Sequence, residues 1–402
     1  MSTTPHPAQT QMATIPVELY RTIVECLPQD ISKADLVNFS LASHAWKAEV
    51  DRVLWSRVTM EVPDLTLELL SVLEQQHSRH VRRFTMWLWP DNRYDGTPYV
   101  LPECPPYDRI HDLLHKSLQP SLTHLHLHLR KAWTTDWQSW YRAHFPALKT
   151  FHFTAMDHND YWIQACIPEF LARHPGIEEV GIFDGDEHLH FQELKKLEAE
   201  GTNILPNLRV LQTTPRGALW CLSLEKPQLE VMVLGKGMYN PNGHNDQLAV
   251  LVRQKFPALR VLDLPETFEH SLILAYIQPR SFPVLEELYN VYLGPITRAA
   301  DLEKLYRDYI SHFSHPHLRI LTCHLRSRGR RVRHEEVTQI ITWIRSGCPS
   351  LQHLELSDGN ERNRRFKCTF DPEGKPDIRL MVGGSMMESQ LPSSRRLVSP
   401  FC

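Results

Sequence analysis

The sequence predicts an α/β protein, in which a small unit of three helices leads into a long solenoid whose strands stack as a parallel sheet. Three observations carry that reading. A motif of a proline followed by spaced leucines returns nine times between Pro120 and Leu356. The stretches between copies show helical periodicity. Ile15 to Val58 has helix starts, helix stops and apolar stripes of its own.

Residues 1–13 are rich in Thr, Pro and Gln and lack an apolar core, so a disordered lead is expected there and not a signal peptide. Pro16 suits the first turn of a helix, where its missing N–H costs nothing, and Glu18 suits the positive end of the helix dipole. Leu19, Ile23, Cys26 and Leu27 fall on one stripe, and Pro28 ends the run. Ser32, with Asp35 three residues on, opens a second helix carrying Leu36, Val37, Phe39 and Leu41. A third holds Trp46, Val50, Val53, Leu54 and Trp55. Three short helices bury little apolar surface, so the unit over residues 14–60 needs a partner or a following domain. Asp64 to His77 carries Leu65, Leu69, Leu70, Val72 and Leu73 at helical spacing, which makes residues 61–78 a connecting helix without a flexible tether.

The repeat occupies residues 79–360 and reads Pro-x-Leu-x-x-Leu-x-Leu, with substitutions. Copies begin at Pro120, Pro146, Pro175, Pro206, Pro227, Pro257, Pro283, Pro316 and Pro349, spaced 21 to 33 residues apart. Val81, Phe84 and Met86 read as a degenerate first copy. Leu-x-Leu is the period of a strand with one buried face, and a single strand cannot bury that face alone. Stacking the copies in parallel does so, with the intervening segments returning on the far side. Trp162 to His174, Asn245 to Phe256, Ala299 to Phe313 and His334 to Ser346 have the pattern of helical returns. Nine or ten strands would give a concave sheet about 40 Å long.

The residue between the two strand leucines marks the open face. It runs His126, His152, Gly181, Gln212, Val233, Asp263, Tyr289, Thr322 and Glu355, and the position two residues earlier runs His124, Thr150, Glu179, Val210, Val231, Val261, Glu287, Ile320 and His353. A His-rich start and a valine middle result, and a partner or a later segment of the chain could cover the valines. Val233, Asp263 and Tyr289 are candidate substrate contacts. His124, His126 and His128 leave one side of a strand beside His152. With His158 or Asp157 they could bind a metal, or they are polar residues on a half-buried strand, whose i and i+2 positions rarely converge on one ion. Asp184, Asp186, Glu187, His188 and His190 are a second such group.

Arg326, Arg328, Arg330, Arg331 and Arg333 follow one strand, and Arg362, Arg364, Arg365 and Lys367 follow the next, so the two runs belong on one rim. Guanidinium forks suit carboxylates and phosphates, so Arg328, Arg330, Arg331, Arg362 and Arg364 are candidate contacts to an acidic or phosphorylated partner; a solvated loop or a nuclear-import signal accounts for the same residues. Residues 361–402 then carry two alternating runs around a Gly/Pro turn, a hairpin suited to cap the last sheet edge, and a tail from Gly383 expected to be disordered.

A charged fraction of 23% and a net charge of −3 predict no general attraction to nucleic acid or membrane. Eighteen consecutive apolar residues occur nowhere, so no membrane span is expected. The eight cysteines are scattered without CxxC spacing, which points to reduced thiols and a cytoplasmic or nuclear location. No nucleophile elbow, phosphate loop or zinc-protease motif occurs, so neither a catalytic residue nor a cofactor is expected.

The order Ile15-Pro16, Glu18-Leu19, Ile23, Asp35-Leu36, Ser40-Leu41 and a tryptophan-bearing third helix resembles an F-box, the adaptor module of cullin-based ubiquitin ligases. Ala42 stands where that family usually has Val. The resemblance implies that Ile15, Pro16, Leu19, Ile23, Asp35, Leu36, Leu41 and Trp46 meet the Skp1 subunit and, through it, a cullin. The repeats resemble the irregular leucine-rich repeats that often follow an F-box, abundantly so in fungi, although Arg130, Met156 and Thr267 occupy the place of the family's Asn or Cys. Together these resemblances imply a non-catalytic substrate receptor of a Skp1–cullin–F-box ligase. Two other readings stay open, a scaffold or sensor without a ligase role and a metal-dependent enzyme built on the His strand.

Overall fold

The computed structural model describes residues 19, 21–23, 33–42, 44–61, 67–88, 107–129, 141–155, 161–183, 195–201, 204–222, 228–235, 244–265, 276–296, 299–308, 310–326, 332–358 and 364–382. Residues 19 and 21–23 are helical, and α1 (Lys33–Ala42) and α2 (His44–Leu54) follow. Leu36 and Val50 are buried between α1 and α2, with Trp46, Val53 and Leu54 packed around them in a cluster separate from the main core. Trp55 joins the main core instead, and its ring stacks on His77 at 4.3 Å.

The chain then enters β1 (Arg57–Glu61) directly. This strand was not expected: Val58 and Met60 have the two-residue period, but no Pro-x-Leu prefix announces it. It falls across the boundary placed at residue 60. The amides of Arg82 and Arg83 bond the Ser56 carbonyl at 2.9 Å each, which fastens the helical unit to the next strand.

The remaining strands are β2 (Arg83–Leu88), β3 (His124–Leu129), β4 (Thr150–Ala155), β5 (Glu179–Phe183), β6 (Val210–Thr213), β7 (Val231–Leu234), β8 (Val261–Asp263), β9 (Glu287–Pro295), β10 (Ile320–Arg326), β11 (His353–Asp358), β12 (Arg364–Phe370) and β13 (Pro376–Val382). They form one 13-stranded sheet in chain order. The pairs from β1 to β11 are parallel, while β12 and β13 turn back antiparallel over the last edge. The chain is thus a leucine-rich-repeat-like solenoid.

The described helices of the solenoid pack on the buried side of the sheet. They include α3 (Leu67–Val72), α4 (Tyr107–Asp112), α5 (Tyr161–Arg173), α6 (Pro215–Leu222), α7 (His244–Leu251), α8 (Ala299–Asp308) and α9 (His334–Gly347), and α3 and α4 each continue into a π turn. The four segments with helical periodicity are α5, α7, α8 and α9. Their apolar faces meet the inward side chains of the strands. Phe84, Leu125, Phe151, Val180, Leu211, Met232, Leu262, Leu288, Leu321 and Leu354 form one continuous buried row, and Ile167, Phe170, Ile340 and Ile344 close over it.

Two further columns fix the register. The residue before the repeat proline is buried in seven of the nine copies, at Phe145, His174, Leu205, Phe256, Phe282, His315 and Cys348. His174 tolerates this apolar column because both ring nitrogens are used: the Phe145 amide donates to Nε2 at 2.9 Å, so Nδ1 carries the proton it donates to the Phe170 carbonyl at 2.6 Å. One residue ahead of each strand, the amides of Lys149, Glu178, Arg209, Glu230, Arg260, Glu286, Arg319 and Gln352 each bond the equivalent carbonyl one repeat earlier, at 2.7–2.8 Å. From Lys149 to Arg319 their charges alternate in sign, and Lys149–Glu178, Arg209–Glu230 and Arg260–Glu286 are ion pairs.

Candidate functional site

With every second side chain committed to the core, the alternate ones line the opposite face. Two ladders run along it in continuous register from β1. One begins Arg57, Arg83, His124, Thr150, Glu179, Val210 and continues through Val231, Val261 and Glu287 to Ile320 and His353. The other begins Thr59, Thr85, His126, His152, Gly181, Gln212 and continues through Val233 and Asp263 to Tyr289. Sequence spacing therefore placed these residues correctly but started the ladders two strands late.

The histidines sit in a stacked cluster, hydrogen-bonded at His124 and His152. His126 and His152 stack with centroids 4.3 Å apart, and His128 stacks on Trp87 at 3.9 Å. His152 Nε2 donates to Glu179 Oε1 at 2.9 Å, and Gln212 Nε2 donates to the same oxygen at 2.8 Å. Burial first, then the field of neighbouring groups, Arg83 for His124 and the adjacent histidines for His126 and His128, brings His126 down to about 2 and His124 and His128 down to about 4. These three rings are neutral at neutral pH. Among the described residues no three His, Cys, Asp or Glu side chains are grouped to hold a metal ion. His158, Asp157 and the group from Asp184 to His190 lie outside the described residues.

The valine middle follows, with Val210, Val231, Val233 and Val261 half-buried. Beyond it a directional chain crosses four strands. Asn290 Nδ2 donates to Asp263 Oδ1 at 2.7 Å, which makes Asn290 Oδ1 the acceptor of His324 Nε2–H at 3.0 Å. His324 Nδ1 lies within hydrogen-bond reach of the Ser357 hydroxyl. A bulge makes this possible: Tyr289 and Asn290 together oppose Thr322, and Asn290 takes a positive φ of 60°. Repeat spacing held no sign of the extra residue. Tyr289 is 2% exposed and its hydroxyl donates to Glu287, so what it offers a partner is an edge at most.

Of the arginine runs, Arg328, Arg330, Arg331 and Arg362 lie outside the described residues. Arg364 donates to the Val332 carbonyl at 3.2 Å and lies over the Phe366 ring, which brings the start of β12 against the end of the first run. A groove of about 820 Å³ opens at the rim near β11 and β12; its Arg345 is tied to the carbonyls of Cys348 and Leu351 and its Arg319 to Gln352.

At the N-terminal unit, Leu19, Ile23, Val37 and Leu41 are 48%, 38%, 44% and 79% exposed, a set of uncovered aliphatics on the first two helices. Asp35 is exposed as well, whereas Leu36 and Trp46 face the unit's own small core. Ile15 and Pro16 lie outside the described residues.

No family model and no curated protein matches the sequence. Among solved structures, a Bacteroides fragilis protein is similar over 57% of this chain and 73% of its own, at 15% identity and a TM-score of 0.34. A leucine-rich repeat-containing protein of Legionella pneumophila is similar over 69% of this chain and 90% of its own, at 12% identity and a TM-score of 0.32. The solenoid itself rests on the register of the 13 strands. Among the described residues no helix is long and apolar enough to cross a membrane.

Proposed function

We propose that this protein is a substrate receptor of a Skp1–cullin–F-box ubiquitin ligase, with the N-terminal helices docking on Skp1 and the sheet holding a protein substrate. The observation that carries the reading is the set of exposed aliphatics Leu19, Ile23, Val37 and Leu41 on a unit whose small core, among the described residues, is Leu36 and Val50 with Trp46, Val53 and Leu54 around them. Such a unit gains from a partner over its apolar face, and Leu19, Ile23 and Leu41 fall on the F-box pattern, with Val37 beside them. Trp55 and the run from α2 straight into β1 support a fixed geometry between docking end and receptor face. The receptor contributes proximity, presenting substrate lysines to a ubiquitin-charged enzyme, and no chemistry of its own.

A Skp1 pull-down comparing wild type with Pro16→Ala/Leu19→Ala tests this. Skp1 is expected with the wild type and at least tenfold less with the variant; equal recovery, or none from either, would sink the proposal. Skp1 recovered without a cullin would favour a scaffold that has left the ligase.

A further inference from the structure

We infer that the first two strands of the sheet form an anion site, and that its ligand is the phosphate of a phosphorylated segment in the partner protein. Arg57 and Arg83 are direct neighbours on β1 and β2, and Thr59 and Thr85 are neighbours in the next row of the same face. Both guanidiniums are exposed, and among the described residues neither has an ion pair or a hydrogen bond.

This sets them apart from the cations along the leading rim. Lys149, Arg209 and Arg260 each have a glutamate at 2.7–2.9 Å on the adjacent repeat. Like charges directly opposite on paired strands repel. Arg83 registers that cost, its pKa lowered first by partial burial and then by Arg57, with Glu179 three strands away raising it in part. Glu179, the first acid along this ladder, is spent on His152 and Gln212. A pair of cations kept together without an ion pair of its own is a destabilising arrangement in the free chain, and an arriving anion relieves it. A phosphate monoester offers up to two negative charges and three acceptor oxygens, enough for two guanidinium forks and two threonine hydroxyls.

The rest of the face says how such a segment continues. Beyond Arg83 the next apolar positions on the ladder are Val210 and Val231, four and five strands away. At about 4.8 Å per strand the first is ~19 Å distant, which an extended peptide spans in about six residues. The inferred ligand is therefore a peptide with a phosphorylated residue and an aliphatic residue about six positions apart. This rests on the sheet being the substrate face, but not on Skp1 docking.

The test uses the full chain without Skp1, so its failure and that of the pull-down are separate results. Fluorescence polarisation would compare a degenerate peptide pool carrying phosphoserine and a leucine six residues away with the same pool carrying serine. The phosphorylated pool should bind at least tenfold more tightly. Arg57→Gln/Arg83→Gln should abolish that preference while melting no lower than wild type, and Arg319→Gln on the rim should retain it. No preference in the wild type, a preference surviving in the double variant, or a double variant that melts lower would overturn the inference. Inorganic phosphate binding as tightly as the pool would overturn its peptide part.

Discussion

His152 lies flat across the backbone of Gly181: a Cβ at residue 181 would sit 2.8 Å from His152 Cδ2, closer than side chains approach one another. The missing side chain is what lets the ring cross from β4 over β5, reach Glu179 and keep its stack with His126. Gly181→Ala should therefore destabilise the fold by about 1–3 kcal/mol, as overpacking of a tight contact does. Urea unfolding would show it, and in a His152→Ala background the cost should shrink towards zero. An equal cost in both backgrounds would mean that the ring is not the obstacle.

The buried His174 makes stability depend on pH. Its pKa is lowered to about 4 by burial, against 6.5 for an unstrained imidazole. Below pH 6.5 the unfolded chain takes up a proton that the folded chain refuses until about pH 4, so the contribution is complete above 6.5 and is lost as pH falls through that window. The loss is on the order of 3 kcal/mol. His174→Phe matches the phenylalanines at equivalent positions but strands the Phe145 amide and Phe170 carbonyl. It should cost about 1–3 kcal/mol at pH 7.5 and less at pH 5. Chemical denaturation across that range checks the slope; an unchanged slope in the variant would assign the pH dependence elsewhere.

Asn290 combines a left-handed backbone with the central place in the Asp263–His324 chain. Asn290→Gly keeps the first and removes the second, whereas Asn290→Ala removes both. The alanine variant should be the less stable by roughly 1–2 kcal/mol, the cost of placing a Cβ in that conformation. Equal stabilities by guanidinium unfolding would show that the bulge relaxes in solution.

Most of the solenoid was legible in the linear chain, because Leu-x-Leu has one structural solution once a single strand is too narrow to bury its face. All nine copies are strands, and the cross-strand neighbours Val233 and Asp263 follow from counting. β1 was not legible, since Val58 and Met60 alone are too short a signal without the proline and first leucine. The alternating column from Lys149 to Arg319 was in reach: reading one position ahead of each strand down the repeats shows it.

What composition and spacing dictate here is periodic: which side chains enter the core, in what order strands stack, where helices return. What only the stacked sheet decides is which polar groups remain available. Glu179 and His152 are 27 residues apart and bond each other; Arg57 and Arg83 are 26 apart and face the same side, and among the described residues neither has an ion pair. Local sequence cannot separate those outcomes. Each depends on what the neighbouring strand presents within about 5 Å, and that is set by where the intervening loop returns the chain.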